Sequence, residues 1–524
     1  MAFKEYKGLD LVATGNEVLD RWKKNHAFEK SLELREGAPE FIFFEGPPSA
    51  NGMPGIHHVM ARSIKDAICR YKTQSGYKVN RRAGWDTHGL PVELGVEKML
   101  GITKEDIGTK ISVEEYNDAC RKEVMKYTAE WVNMTERVGY WVDMDDPYIT
   151  YDNRYIETLW FLLKKIYDKG LLYKGKSIQP YSPAAGTGLS THELNQPGCY
   201  RDVKDTTATA QFKVVRDEKS EFLFAEGVQP YFLAWTTTPW TLPSNTALCV
   251  GPNIDYVRVL STNPYTGVPG LYIVAQALVG AHFNPKKQEF TVLEGTLKGS
   301  ELTGIRYEQL IPWFNPGEGA FKVIPGDYVT TEDGTGIVHI APTFGADDAK
   351  VARLAGVPGL QVVDRNGDLQ AQVDLRGRFF RIEDLDPEYA AANMSPAYAE
   401  WEGRYVKNAY DASLPADAPT LDVDICVMLK QENKAFRIEK HTHNYPHCWR
   451  TDKPVLYYPL NSWFIKTTAV RERMMELNEQ IMWKPESTGT GRFGKWLENI
   501  QDWNLSRSRY WGTPLPIWQT EDGK

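Results

Sequence analysis

Cysteine is scarce in this chain, and long apolar runs are missing. Six cysteines are spread over 524 residues without the regular spacing of a disulfide framework: Cys69, Cys120, Cys199, Cys249, Cys426 and Cys448. No run approaches the ~18 apolar residues of a membrane span, and "MAFKEYKGLD" lacks an apolar signal core. We therefore expect reduced thiols, no membrane association and a cytoplasmic location.

Positive charge is not in excess either, since the formal net charge is −8. This balance does not point to nucleic-acid binding, but a local basic groove would be enough for it. Repeats and low-complexity segments are also missing. The length exceeds what one hydrophobic core supports and predicts about three domains.

The first 180 residues have the pattern of an α/β nucleotide-binding fold. Residues 1–40 form a polar, helical appendage, and 41–44 ("FIFF") is predicted to be a buried parallel strand. "GPPSANGMPG" breaks regular structure, and apolar residues then recur at helical spacing from Ile56. An extended segment, 78–83, leads into "GWDTHGLPVE". Residues 41–180 are therefore interpreted as the first half of a doubly wound, Rossmann-type fold.

The composition changes after residue 180. Glycine, proline and threonine increase, and β-rich runs such as "AQFKVV" and "LYIVA" follow one another. We interpret 181–400 as a β-rich insertion into the nucleotide fold. A helical pattern rich in aromatic residues follows later in the chain. Residues 401–524 are therefore predicted to lead back to the nucleotide fold and to begin its second Rossmann half. The acidic run "DMDDP" (143–147) is interpreted as a turn with a helix cap.

The first candidate site is "EGPPSANGMPGIHH" (45–58). A glycine-rich turn before a helix presents free backbone N–H groups and the positive end of the helix dipole, which suit a phosphate. His57 and His58 could add donors. A capped helix with two solvent-facing histidines is the simpler reading of the segment alone, and a zinc pair is disfavoured because adjacent helical residues point about 100° apart.

The second candidate site is the loop "GWDTHGLPVE" (84–93). Loops at the carboxyl ends of strands form the ligand crevice of open α/β sheets. Asp86 could bind an ammonium group, and His88 could donate to a phosphate or a ribose. An equally good reading makes Asp86 the N-cap of a helix near Val92.

These segments, together with "LAWTTTPWTLPSN", "GTGIVHIAPTFGADD" and "LSRSRYWGTPLPIW", occur in the order found in class I aminoacyl-tRNA synthetases. The chain resembles the isoleucine enzymes of that family, and "WDTHGLPVE" favours them over the valine and leucine enzymes. The resemblance spans about residues 40–518 and rests on several ordered motifs, each of which alone would be weak. It implies ATP-dependent activation of isoleucine, transfer to tRNA(Ile), and hydrolysis of mischarged Val-tRNA(Ile), with ATP and Mg²⁺ as cofactors and a monomeric state.

Site roles follow from the resemblance. The family motif His-Ile-Gly-His aligns with Gly55, Ile56, His57 and His58, so only its last histidine is kept. The predicted ATP-binding residues are Gly55, His57, His58 and His88. The predicted isoleucine-binding residues are Gly46, Pro47, Asp86 and Trp511; without the resemblance, Trp511 would be read as core.

The resemblance also implies an editing pocket in the insertion. Asp348 would bind the ammonium group of a misattached valine. The ester, the ribose and a water would be positioned by Thr236, Thr237, Thr238, Asn245 and His339. Taken alone, the threonine run indicates only β-propensity, and Asp348 only a helix cap.

Relatives often hold zinc through two Cys-x-x-Cys pairs, and this sequence departs from that pattern. The positions are Ser182 and Ala185, then Cys448 and Thr451. A tetrahedral zinc site needs four donors, so we predict that it is lost. A site formed by His441, His443 and His447 near Cys448 is the alternative, although a polar loop is the simpler reading.

No Lys-Met-Ser-Lys-Ser loop occurs in the sequence. From this, and from a missing anticodon-binding region, we expect a truncated chain with little adenylate formation of its own. Two alternatives stay open: a stand-alone deacylase of mischarged tRNA, and a tRNA- or nucleotide-binding protein without catalysis.

Overall fold

A computed structural model describes residues 8–224, 227–286, 288–415 and 418–520. The chain divides into two compact units. Unit 1 comprises Met1–Leu172 and Arg509–Lys524, and unit 2 comprises Tyr173–Ser508. The mixed α/β class with a large β-rich portion is as predicted. The predicted domain boundaries at residues 180 and 400 stay predictions, because the division into two compact units does not test them.

Unit 1 is mainly helical in its described part. Its elements are α1 (Leu11–Lys24), α2 (Ala27–Glu33), α3 (Ile56–Gln74), β1 (Arg82–Trp85), α4 (Leu90–Leu100), α5 (Val113–Val124), α6 (Thr128–Arg137), β2 (Asp143–Ile149) and α7 (Asn153–Asp168). Strands β1 and β2 pair in parallel, with Gly84 opposite Tyr148. A side chain at Gly84 would overlap the Tyr148 ring, so glycine is required there.

Two predictions of local structure in unit 1 are wrong. Residues 41–44 form no strand; beyond the single bond from Phe41 N–H to the Lys78 carbonyl they have no ladder partner, and Ile42 and Phe44 are exposed. The acidic run 143–147 is not a turn but most of β2, where Arg82 pairs with Asp146. Backbone pairing with β1 overrides the low β-propensity of aspartate there.

Helix α3 has the predicted position but buries an unexpected face. The apolar residues that predicted it, including Ile56, Met60 and Ile64, are exposed. The buried residues of α3 are instead Arg62, Cys69 and Thr73. A polar face of this helix therefore turns toward the rest of unit 1.

Unit 2 is built on a large sheet. The strands of the unit are β3 (Leu172–Ser182), β4 (Thr187–Gly188), β5 (Tyr200–Lys213), β6 (Pro230–Thr236), β7 (Ala247–Val250), β8 (Asp255–Thr262), β9 (Pro269–Ala275), β10 (Phe290–Val292), β11 (Leu297–Lys298), β12 (Lys322–Pro325), β13 (Ile337–Ile340), β14 (Val362–Val363), β15 (Leu369–Gln370), β16 (Ala435–Pro446), β17 (Leu456–Ile465) and β18 (Trp503–Asn504). In the large sheet of unit 2 the strand order is β10-β8-β9-β6-β13-β7-β12; β5 joins at β6, and β16 pairs with β5. Its helices are α8 (Thr191–Leu194), α9 (Val279–His282), α10 (Gly299–Leu302), α11 (Ala346–Leu354), α12 (Pro387–Asn393), α13 (Leu421–Gln431), α14 (Arg471–Glu479) and α15 (Gly494–Glu498).

The core of unit 2 explains why this sheet forms. Buried residues of the central strands, such as Phe232, Tyr272 and Val259, pack with Phe283 and Phe436. Strand β13 lies between β6 and β7, parallel to the first and antiparallel to the second. This arrangement brings the end of β6, the turn after it and β13 to one place in the unit.

Gly336, immediately before β13, is a sensitive position. Its φ is +74°, and a side chain there would come within 2.4 Å of Ala275 Cβ. We expect Gly336→Ala to destabilise the chain by about 2–4 kcal/mol, because left-handed backbone strain and overpacking add. Gly280→Ala is the matched control, since its Cβ meets open space, and it should change stability by less than about 0.5 kcal/mol. Thermal unfolding followed by circular dichroism measures both; equal melting curves would contradict the packing described.

Candidate functional site

A cavity of about 340 Å³ lies in unit 1 between the glycine-rich segment and helix α3. Of the residues predicted for this region, Gly46 and His58 line it, whereas Pro47, Gly55 and His57 do not. Trp131 of α6 closes one wall, and its indole N–H donates to the Gly52 carbonyl at 2.9 Å. The cavity is therefore shaped by the same turn that the sequence marks as a phosphate loop.

His58 is held in one tautomer at this cavity. Its Nδ1 accepts the backbone N–H of Gly55 at 2.9 Å, so the ring proton of the neutral form lies on Nε2. Burial lowers the pKa of His58, and the neighbouring His57 and Arg62 lower it further. At pH 7 His58 is thus a neutral N–H donor. His57 is exposed.

Two basic residues of the cavity lining were not predicted. Arg62 and Lys65 lie four and seven positions after His58 and share its helix face. The spacing was visible in the sequence, but basic residues at such spacing are common on solvated helix faces.

The loop after β1 places Asp86, His88 and Trp511 near one another. Trp511 is 6% exposed, its indole N–H donates to the Thr87 carbonyl at 2.6 Å, and its ring centroid lies 5.3 Å from that of His88. Burial lowers the pKa of His88 to about 4, so it is neutral at pH 7. Asp86 is not a helix N-cap, because α4 begins at Leu90 with Gly89 as its cap. Its backbone N–H donates to the Pro48 carbonyl at 2.9 Å, which joins this loop to the glycine-rich segment.

Glu93 holds Trp511 in place. Its Oε1 accepts the backbone N–H groups of Tyr510 and Trp511 at 3.1 and 3.0 Å, and its Oε2 accepts Nε of Arg509 at 2.9 Å. Arg509 also pairs with Glu97. Glu93 was given no role from the sequence, because its partners are more than 400 positions away and no local signal marks them.

A second cavity, of about 350 Å³, lies in unit 2. The end of β6, the turn Pro239–Ser244 that follows it, strand β13 and the start of α11 surround it. Among the predicted residues it brings together Thr236, Thr237, Thr238, His339 and Asp348. Asn245 does not line it. Thr241 and Tyr328 line it without having been predicted.

His339 is locked by hydrogen bonds on both ring nitrogens. Asn245 Nδ2 donates to the Ala247 carbonyl at 2.8 Å, and this bond fixes the orientation of the Asn245 amide. Because Nδ2 is a donor, its contact with His339 Nδ1 at 3.1 Å is a hydrogen bond that the histidine accepts. The ring proton therefore lies on Nε2 and is donated to Thr241 Oγ1 at 2.9 Å. Thr241 in turn donates to the Thr238 carbonyl at 2.8 Å. Asn245 thus acts beneath the cavity, as a support for His339.

Burial lowers the pKa of His339 to about 4, so the ring stays neutral at physiological pH and contributes no charge to the cavity. Thr237 differs from its neighbours, because its hydroxyl has no hydrogen-bond partner among the described residues. A ligand in this cavity would find the Thr237 hydroxyl free to bond.

Asp348 is one of two carboxylates that line the second cavity; the other, Asp333, is exposed. Asp348 lies in the first turn of α11, and its Oδ2 accepts the backbone N–H of Ala341 at 2.8 Å. Burial raises the pKa of Asp348 to about 6; the Ala341 hydrogen bond opposes this shift, and Asp347 adds to it. The group is ionised at pH 7 and suits a cationic ligand such as an ammonium group.

Asp422 of α13 supports the turn that carries the threonines. Its Oδ1 accepts the backbone N–H of Trp240 at 2.9 Å. Lys407 lies 3.8 Å from Asp422 and 3.0 Å from Asp205, so the buried carboxylate has a cationic neighbour. Sequence reasoning missed Asp422 because nothing local marks it.

The positions of the expected zinc ligands do not form a metal site in the described residues. Ser182 is buried, and its hydroxyl accepts the Ala185 N–H at 3.2 Å. The alternative histidine set is divided: His443 contacts Asp205 at 3.2 Å, His441 packs edge-on against Trp235, and His447 Nδ1 contacts the Tyr445 carbonyl at 3.0 Å. The loss of the zinc site stays a prediction.

Comparison with known proteins gives a consistent result. A family model described as tRNA synthetases class I (I, L, M and V) matches residues 17–524. Isoleucine–tRNA ligases of Bacteroides fragilis and Porphyromonas gingivalis are each 66% identical over 99% of this chain, which covers 46% and 47% of those proteins. The chain thus spans about half the length of the curated relatives it matches. A crystal structure of GlLeuRS-CP1 aligns over 45% of this chain and all of its own at 16% identity, with a TM-score of only 0.30.

Removing the Glu93 carboxylate should loosen the attachment of residues 509–511, which include Trp511. We expect Glu93→Ala to cost about 3–5 kcal/mol of stability, because it leaves a buried arginine short of one partner and frees two backbone N–H groups. Thermal unfolding measures this, and Glu105→Ala, an exposed neighbouring position, is the control. A change below about 1 kcal/mol for Glu93→Ala would show that Glu93 does not anchor residues 509–511.

The tautomer of His339 can be observed directly. We expect ¹⁵N NMR of histidine-labelled protein to show an unprotonated Nδ1 and a protonated Nε2 from about pH 5.5 to 8, with the signal assigned by its loss in His339→Gln. Asn245→Asp should move the proton to Nδ1, because a carboxylate only accepts. A His339 that becomes protonated above pH 6 would contradict this hydrogen-bond chain.

Proposed function

The chain belongs to the class I tRNA synthetases of the I, L, M and V group, and from that premise we propose that it serves isoleucine–tRNA ligation. In this proposal unit 1 binds isoleucine and ATP for formation of the aminoacyl-adenylate and transfer to tRNA(Ile). Unit 2 hydrolyses mischarged Val-tRNA(Ile). The observation that carries the proposal is the meeting of Thr237, His339 and Asp348 at one cavity of unit 2, in a chain 66% identical to isoleucine–tRNA ligases.

Activation requires no nucleophile from the protein. A carboxylate oxygen of isoleucine attacks the α-phosphorus of ATP; the new C–O–P linkage forms, and the bond to pyrophosphate breaks. The protein contributes positioning and charge stabilisation. The N–H groups at the start of α3 and Nε2–H of His58 would donate to phosphate oxygens. Asp86 would bind the ammonium group, and Trp511 would contact the aliphatic side chain.

Mg²⁺ would arrive with the ATP phosphates and neutralise part of their charge. The carboxylate next to the unit 1 cavity, Glu45, bonds to Lys65 at 2.8 Å and to Tyr140, so it is not free to hold a metal ion. No step of the proposal requires a protein ligand to the metal.

Editing in unit 2 is an ester hydrolysis. A water attacks the carbonyl carbon of the valyl ester, the bond to the terminal ribose oxygen breaks, and that oxygen takes a proton. Asp348 would bind the valine ammonium, and the Thr237 hydroxyl would donate to the ester or orient the water. His339, neutral and bonded on both nitrogens, would hold Thr241 and the threonine turn rather than act as a base.

A second site is needed for a physical reason. One missing methylene changes binding by about 1–3 kcal/mol, a limit for which isoleucine–tRNA ligases are themselves the established example. A pocket that accepts valine and excludes isoleucine would supply the remaining discrimination. The cytoplasmic location and the monomeric state stay predictions. A stand-alone deacylase is the weaker candidate, since hydrolysis alone makes no use of a cavity lined by His58 and Arg62.

The role of Asp348 has a direct test in the deacylation of Val-tRNA(Ile). We expect Asp348→Asn to lower kcat/KM by about 10–100-fold, the value of a charge-assisted hydrogen bond of about 1.5–3 kcal/mol. The pKa of Asp348 is raised to about 6, so wild-type activity should fall as the pH drops through 6, when the carboxylate becomes protonated. This acidic limb should vanish in Asp348→Asn.

Asp347→Asn is the matched control, because this neighbour is exposed and does not line the cavity. It should keep kcat/KM within about twofold. Equal losses in the two variants would remove Asp348 from the proposed editing site.

A further inference from the structure

Arg62 is an unusual residue for its surroundings. It is 7% exposed and lines the unit 1 cavity. Its Nε donates to Thr135 Oγ1 at 3.3 Å, and its guanidinium carbon lies 4.9 Å from the centroid of the Trp131 ring. No carboxylate in the described part of the chain lies within ion-pair distance of it.

A buried cation without an anion is costly, and folded proteins normally pair it. The carboxylate that could serve here, Glu45, has both oxygens engaged by Lys65 and Tyr140. Glu45 also stabilises the charged form of Arg62 from beyond ion-pair distance, but one carboxylate cannot neutralise both Lys65 and Arg62. Desolvation lowers the pKa of Arg62, but arginine stays protonated at neutral pH.

The position of Arg62 suits an anionic ligand. It follows His58 by one helical turn on the same face of α3, in the N-terminal half of that helix. A guanidinium offers paired N–H donors that match phosphate oxygens. Gly55 has no side chain and His57 is exposed. Arg62 is thus the cation of the cavity lining that forms no ion pair within the described part of the chain.

We propose that Arg62 is a phosphate-binding residue of the unit 1 cavity. It would pair with the triphosphate of a nucleotide that His58 also contacts. This inference rests on the proposed function in one respect, the identity of the nucleotide as ATP. The anion requirement itself follows from the burial of Arg62 and from the single carboxylate, Glu45, that it shares with Lys65.

The test is calorimetric binding of ATP, inorganic tripolyphosphate and adenosine to the purified chain. Arg62→Met should weaken ATP and tripolyphosphate by at least about tenfold and leave adenosine unchanged; Arg62→Lys should lose less than Arg62→Met. The matched control is Arg70→Met on the same helix, because Arg70 pairs with Asp66 and does not line the cavity. It should bind ATP within about twofold of wild type.

The outcomes separate the two proposals. If wild type binds ATP and Arg62→Met binds it equally well, Arg62 is not a phosphate ligand, and the synthetase assignment is unaffected. If wild type binds neither ATP nor tripolyphosphate, both the Arg62 role and the ATP site are wrong.

A second measurement serves if Arg62→Met fails to fold, as judged by circular dichroism. Guanidinium NMR of the arginine-labelled wild-type chain, with Arg62 assigned from Arg62→Lys, should show its Nη signals shifting on addition of tripolyphosphate. Unshifted Nη signals at saturating tripolyphosphate would overturn the proposal.

Discussion

The buried carboxylate of Glu93 is the interaction that holds residues 509–511 within unit 1, and the proposed isoleucine site depends on it. It accepts two backbone N–H groups and one guanidinium from residues 509–511. The chain leaves unit 1 at Leu172 and returns at Arg509. Together with the bond from the Trp511 indole N–H to the Thr87 carbonyl, Glu93 fixes Trp511 beside His88. The loop after β1 thus contacts an aromatic ring from a residue more than 400 positions away.

The two cavities differ in charge, and the difference matches their proposed ligands. The cavity of unit 1 combines a neutral N–H donor, His58, with two cations, of which Arg62 has no ion pair among the described residues, and suits phosphate. The cavity of unit 2 contains neutral hydroxyls, a neutral histidine and the carboxylates of Asp348 and Asp333, and suits an ammonium group. Because the hydrogen-bond chain through Asn245, His339 and Thr241 is satisfied internally, the threonine turn keeps its shape without a ligand.

The segments that line the two cavities were easier to predict from the sequence than the roles of individual residues. Motifs near His58, Asp86, Thr236 and Asp348 are local, and the structure brings the last two to one cavity. Residues 41–44 were misread, because an apolar run does not reveal whether a pairing partner exists. Glu93 and Asp422 act through bonds to residues distant in sequence, and the function of Arg62 depends on which charges find partners. These properties arise only when the chain is folded.

The central claim is that one chain combines a valine-selective hydrolytic site in unit 2 with an isoleucine-activating site in unit 1. The most direct measurement compares hydrolysis of Val-tRNA(Ile) and Ile-tRNA(Ile) by the wild-type chain under single-turnover conditions. The account predicts that the valyl ester is hydrolysed at least about 100-fold faster than the isoleucyl ester. This factor is comparable to the discrimination that one methylene group gives in an apolar pocket. Equal rates for the two esters, or no hydrolysis of either above the uncatalysed rate, would contradict it.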